Sequence, residues 1–157
     1  MKILILPGFS SHNEIWANDV KENLAGAAIH RWTHWDTGNA YPGWTDDEIK
    51  NLNLTEKVDV IAKSIGTLVA MKLIRQINKL ILCGIPLNDL SEEDKKQYLV
   101  LAHFPTENLL VFQNTSDPHG NFVAAEQFVH GINPQIKILE MPRDDHEYPF
   151  VEEFKGF

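Results

Sequence analysis

The sequence predicts a three-layer α/β/α sandwich built on a six-stranded, mostly parallel sheet. Three observations carry this reading. Six short apolar runs recur along the chain, segments of helical character separate them, and most runs are near-continuous rather than alternating, as in strands covered on both faces. Strands that alternate with helices form βαβ units, and right-handed crossovers wind such units into helical layers on both sides of one sheet.

The strand candidates are "KILIL" (2–6), "AAIHRW" (27–32), "VDVIA" (58–62), "KLILC" (79–83), "NLLVFQ" (108–113) and "QIKIL" (135–139). Of the helical segments, "NEIWANDVKENLAG" takes Asn13 as its expected cap and ends at Gly26. "TDDEIKNL" opens with Thr45 and an acidic first turn, which suits the positive end of a helix dipole. Ile65, Leu68, Val69 and Leu73 give the next segment an apolar stripe. "SEEDKKQYLVLA" and "NFVAAEQFVHG" follow, and "HEYPFVEEF" closes the chain. No internal repeat, low-complexity tract or linker divides the 157 residues, so one domain spanning 1–157 is expected.

Composition narrows the function. With 43% hydrophobic and 23% charged residues the balance is globular, and a formal charge of −8 disfavours a phosphate-neutralising surface for nucleic acid. No basic run suits an anionic membrane and no stretch approaches the ~20 apolar residues of a membrane helix. The apolar start "MKILIL" stops at Pro7 and Gly8, short of a signal-peptide core, so a cytoplasmic location is expected. The single cysteine, Cys83, ends an apolar run and reads as a small buried hydrophobe rather than a nucleophile.

One junction breaks the apolar logic. In "DVIAKSIGTLVAMKL" (59–73), Lys63 and Ser64 interrupt a buried-looking run where a strand gives way to a helix. "AKSIG" (62–66) has small residues two before and two after the serine, a variant of the G-x-S-x-G elbow in which a tight strand-to-helix turn lifts the hydroxyl clear of the sheet. The turn also aims the N–H of the following residue, Ile65, at the place where negative charge develops. A serine needs a base and an orienting carboxylate, in the order Ser, Asp, His on this architecture. Asp117 follows the fifth run and His146 follows the sixth, so all three fall at carboxyl ends of strands, where doubly wound sheets gather their chemistry. That coincidence favours a catalytic Ser64 over a plain helix-capping serine.

Competitors are weighed by position. Asp144 and Asp145 adjoin His146, too close to orient its ring, and are expected to cap the final helix. His119 lies in the Asp117 loop and reads as a pocket or surface residue. His30 and His34 have the spacing of a metal pair, but no acidic or cysteine cluster completes a site. Lys63, at the x position of the elbow, is expected at the solvent or substrate edge. The second oxyanion donor should come from "LPGFSS" after the first strand, with Phe9 favoured and Ser10 the alternative. His12 follows that loop, and Trp16 reads as core. Trp35 admits two readings, packing or an aromatic wall at the active edge.

From the "LPGFSS" loop to the "DDHEY" loop, nearly the whole chain resembles the α/β-hydrolase superfamily, and within it the small single-domain serine hydrolases related to retinoblastoma-binding protein 9. The resemblance implies strand order 2-1-3-4-5-6, no substantial cap domain, Ser64 as nucleophile, Asp117 as acid, His146 as base, and activity on small esters. Two positions depart from the pattern: Ala62 stands for the first elbow glycine, and Pro7-Gly8 for the usual His-Gly. The expected function is thus a carboxylesterase acting on a small-molecule ester, with Phe9 and Ile65 as oxyanion donors, Ser10, His12, Trp35 and His119 near the substrate, and no metal or organic cofactor. An amidase or thioesterase would share the triad. A binding protein that kept the fold without turnover is the alternative from another class.

Overall fold

A computed structural model describes residues 2–157. Six strands, β1 (Ile3–Leu6), β2 (Ala27–Ile29), β3 (Val58–Lys63), β4 (Ile77–Cys83), β5 (Leu109–Asn114) and β6 (Lys137–Met141), form one wholly parallel sheet in the order β2-β1-β3-β4-β5-β6. This is the expected order. It makes β3 and β4 central, so their side chains are covered on both faces.

Because side chains alternate across a strand, each apolar run feeds two cores. Ile5, Ile61, Ile81, Cys83, Leu110 and Phe112 face one side, where α1 (Asn13–Asn23) and α7 (Val151–Lys155) add Trp16, Val20, Val151 and Phe154. Leu4, Leu6, Val58, Val60, Ala62, Leu80, Leu82, Leu109 and Val111 face the other. There α4 (Ile65–Lys72) and α6 (Phe122–Ile132) pack with Trp32, Tyr98 and Leu101. Cys83 is fully buried, as expected, and burial pushes its thiol well above the ordinary value.

Several elements differ from the sequence reading. The second strand stops at Ile29 rather than Trp32, and residues 33–37 form an unforeseen short helix, α2 (Thr33–Thr37). The polar Thr-His-x-Asp-Thr run gave no apolar stripe by which to see it. Asn13 is the first residue of α1 rather than its cap; its amide donates to Ser10 O at 3.0 Å and its carbonyl is occupied elsewhere. Helix α3 (Trp44–Leu52) begins one residue before Thr45, whose hydroxyl accepts from Lys72 at 3.0 Å. "SEEDKKQYLVLA" splits into α5 (Glu92–Gln97), closed by a Ser91–Asp94 capping box, and a 3-10 segment at Tyr98–His103. The apolar stripe expected on α4 is in fact all-round burial, because the helix lies between the sheet and the surrounding segments. Edge strand β6 is only half-buried.

Candidate active site

The carboxyl ends of β3, β5 and β6 converge on one edge of the sheet. At the end of β3 the Ser64 N–H prolongs the ladder to Cys83 O at 2.9 Å, and the chain then turns with Ser64 at φ 55°, ψ −124°. A positive φ on a residue with a Cβ costs about 1–3 kcal/mol and persists only where the surroundings enforce it. Here they do. A Cβ on Gly66 would sit 2.1 Å from Leu6 O and 2.8 Å from Pro7 O, so only glycine lets α4 start this close to the end of β1. The Thr67 hydroxyl fixes the turn from the other side, donating to Ser64 O at 2.6 Å.

Asp117 follows β5, is buried, and accepts at Oδ2 from His146 Nδ1 at 2.7 Å. The structure therefore brings together the aspartate and histidine that the sequence reading paired. Burial alone would push the Asp117 carboxyl up. The hydrogen bonds from His146 and Tyr148, the His146 charge and the His119 N–H outweigh it and hold the group below the ordinary carboxylate value. Since an ionised carboxylate only accepts, His146 Nδ1 carries the hydrogen and Nε2 is left as the basic nitrogen. That Nε2 is buried and has no hydrogen-bond partner among the described residues, so no bond joins it to the Ser64 hydroxyl in this state.

Two residues that the sequence reading missed hold this pair. The Tyr148 hydroxyl donates to Asp117 Oδ2 at 2.6 Å and accepts from Asn114 N–H at 3.1 Å. The Asn114 side-chain amide donates to Asp145 O at 2.9 Å and Glu147 O at 2.8 Å, the carbonyls on either side of His146. A buried asparagine ending an apolar strand, and a tyrosine two residues after the histidine, were the available signals. Asp145 does not cap the last helix as expected, since α7 starts only at Val151; it pairs with Arg143 at 2.6 Å and accepts from Glu147 N–H. Asp144 likewise lies well before that helix.

Lys63 also departs from expectation. It is 1% exposed, not solvated, and its ammonium donates to Asn13 Oδ1 at 2.9 Å and Glu147 Oε2 at 3.1 Å. One buried cation thus ties α1, the elbow and the His146 loop together.

A cleft of about 340 Å³ opens at this edge, lined by Phe9, Ser64, Ile65, Pro86, Asp89 and His119. Its size is at the lower end of small-molecule sites. His119 lines it as expected, pairs through Nδ1 with Asp89, and packs against the His146 ring at 4.3 Å between centroids with the planes tilted by 43°. Phe9 and Ile65 line it too. His12 and Ser10 are exposed nearby without lining it, and His12 reaches Glu147 at 3.9 Å. Trp35 does not line it: its indole N–H donates to Phe9 O at 2.8 Å. Trp16 is core, with its N–H on Tyr148 O at 2.8 Å. His30 is taken up by Glu48 at 2.6 Å and His34 by Phe9 O at 2.6 Å. Among the described residues no group of three or more His, Cys, Asp and Glu side chains is placed to hold a metal ion. A larger cleft of about 450 Å³ lies at the opposite, amino ends of the strands, between Lys57, Asn78, His103 and Asn108, and contains none of the triad candidates.

The sheet order, the turn at Ser64 and the two uninterrupted helical layers define an α/β-hydrolase fold without a lid. Solved structures agree. The chain is similar to a YdeN-like hydrolase from Pectobacterium atrosepticum (TM-score 0.70, 18% identity, covering 99% of this chain and 87% of that one). It is also similar to an α/β serine hydrolase without lid from Xanthomonas campestris (TM-score 0.66, 16%, 99% and 77%) and to an esterase from Pyrococcus furiosus (TM-score 0.62, 16%, 99% and 77%). No protein-family model and no curated protein sequence matches the chain. Among the described residues no helix is long and apolar enough to cross a membrane.

Proposed function

We propose that this chain is a serine hydrolase that cleaves small carboxylic esters through an acyl-enzyme. One observation carries the reading. A serine held at positive φ at a strand end shares a sheet edge with a buried Asp–His pair whose outward nitrogen has no hydrogen-bond partner among the described residues. Backbone strain of this kind is kept where a side chain must be presented.

In the mechanism, Ser64 Oγ attacks the ester carbonyl while His146 Nε2 takes its proton. Asp117 holds the imidazole through Nδ1 and stabilises the imidazolium. The oxyanion accepts from Ile65 N–H, which opens α4 and so lacks an intrahelical acceptor, and from Phe9 N–H, which donates to no group among the described residues. His146 gives its proton to the leaving alkoxide. Water, activated by the same nitrogen, then releases the acid and restores Ser64. The open cleft, lined by Phe9, Ile65 and Pro86, suits a small ester, and an ester serves as neutral substrate for an acidic protein. Names of structural neighbours include a serine hydrolase and an esterase, which supports this chemistry. Amide and thioester substrates would use the same groups.

A non-catalytic binding protein is the second reading, favoured by the absent Ser64–His146 hydrogen bond. Such bonds often close only around substrate. Labelling by a fluorophosphonate probe separates the two. Labelling of native protein that vanishes in Ser64→Ala and after heat denaturation is expected; no labelling of folded protein would favour the binding protein.

A further inference from the structure

The segment "WTHW" (32–35) converges on the 7–10 loop with three ring N–H groups. Trp32 Nε1 donates to Gly8 O at 3.0 Å and Pro7 O at 3.2 Å, while His34 Nε2 and Trp35 Nε1 both donate to Phe9 O, at 2.6 and 2.8 Å. Three consecutive carbonyls are thereby held from one side. In a trans peptide the C=O and the following N–H point in opposite directions, and no peptide among the described residues is cis. Holding Gly8 O against the buried Trp32 therefore turns the Phe9 N–H away from Trp32. The rings brace one another as well: Phe9 stacks on His34 at 4.4 Å between centroids, and Trp44 meets His34 edge-on at 4.8 Å and Trp32 at 5.3 Å.

We propose that Trp32, His34 and Trp35 are positioning residues that clamp the 7–10 loop so that Phe9 N–H faces the oxyanion formed at Ser64. This rests on the serine hydrolase reading. It gives the Pro7-Gly8 departure a physical counterpart: ring donors from α2 and its N-cap supply the loop's rigidity. It also explains why a half-exposed phenylalanine is fixed at the mouth of the cleft. None of the three rings touches the reacting atoms; each acts through a backbone carbonyl.

The test uses Trp35→Phe, which keeps an aromatic ring and removes the N–H, and His34→Ala, alone and combined, with p-nitrophenyl acetate as substrate and thermal melting as the control for folding. Since a missing oxyanion donor costs roughly 10²–10³ in kcat, a loosened one should cost the double variant roughly tenfold to hundredfold in kcat. KM should stay within about twofold, because only transition-state binding is lost. His34→Gln, which restores an N–H donor, should recover part of the loss. A folded double variant with wild-type kcat, or one that changes KM alone, overturns the clamp while leaving the hydrolase standing. Wild-type protein that neither turns over the ester nor labels at Ser64 overturns the hydrolase reading, and the clamp's role falls with it.

Discussion

Tyr148 donates its hydroxyl hydrogen at 2.6 Å to Asp117 Oδ2, the same oxygen that faces His146 Nδ1 at 2.7 Å. Two donors on one buried carboxylate oxygen fix its position more tightly than either alone. They also favour the ionised form of Asp117. The tyrosine is in turn held by close packing: a Cβ on Gly84, which sits at φ 64°, would lie 2.5 Å from the Tyr148 ring.

Tyr148→Phe keeps the ring volume and removes the donor, leaving Asn114 N–H without its acceptor. A loss of about 1–3 kcal/mol of stability is expected, the usual cost of an unsatisfied buried polar group. Urea denaturation of the two proteins measures it, and equal midpoints would show that the hydroxyl contributes nothing.

Asp117 predicts the acid limb of stability. Its folded-state carboxyl is held below the ordinary value of 3.8. Its contribution is therefore full above that value and is lost as pH falls through the lower, folded one. Glu48 is also lowered: burial opposes this, but its hydrogen bonds from Thr33 and His30 prevail, so it adds loss of the same sign below its ordinary 4.5. Asp117→Asn should flatten the stability profile below about pH 4 relative to wild type, and Glu48→Gln should do so separately. Thermal melts across pH 2.5 to 6, on the order of the carboxylate range, would show it; an unaltered profile in Asp117→Asn would contradict the hydrogen-bonded geometry.

The His119 and His146 rings are in contact, but only the His146 ring is oriented by the buried Asp117. With p-nitrophenyl acetate, His146→Ala should lower kcat by roughly 10⁴ or more, in the range seen when a triad member is lost. His119→Ala should cost less than about tenfold, since its partner Asp89 is half-exposed and the pair only borders the cleft. The reverse ranking would move the base to His119.

The Lys63–Glu147 pair is asymmetric, and its two truncations should differ accordingly. The side chain of Lys63 is 2% exposed and that of Glu147 45%. Glu147→Ala leaves a buried ammonium with only neutral partners, Asn13 Oδ1 and the Trp16 ring at 5.7 Å, for which roughly 2–3 kcal/mol is expected, below the full figure for a buried pair because those contacts remain. Lys63→Met leaves a carboxylate that water can solvate and fills the same space, so it should cost less. Chemical denaturation of both variants decides; equal costs would mean that the charge at Lys63 is better solvated than its burial indicates.

Gly66→Ala places a methyl group 2.1 Å from the backbone carbonyl of Leu6, which no rotamer change relieves. A destabilisation of about 3 kcal/mol or more is expected, at the upper end for overpacking. A variant as stable as wild type would mean that α4 can withdraw from β1 freely.

The sheet was legible because its signal is local. "KILIL", "VDVIA" and "KLILC" are apolar on both faces, and only central parallel strands bury both. The positions of Ser64, Asp117 and His146 after their strands were legible for the same reason, since parallel strands deliver their carboxyl ends to one edge. What joins them was not. Lys63 reads as a charge beside a turn until Asn13 and Glu147 arrive from remote parts of the chain to surround it. Residues 33–37 carry no apolar period, so neither α2 nor its donors to Phe9 can be read until the fold lays the 7–10 loop across them. Tyr148 and Asn114 are ordinary polar residues until burial leaves them no water and obliges each to find a partner. Periodicity and order along the chain determined the strands and the placement of the candidate site. The tertiary structure decided the hydrogen bonds that hold it, because satisfying a buried polar group depends on what the fold brings within 3 Å or so of it.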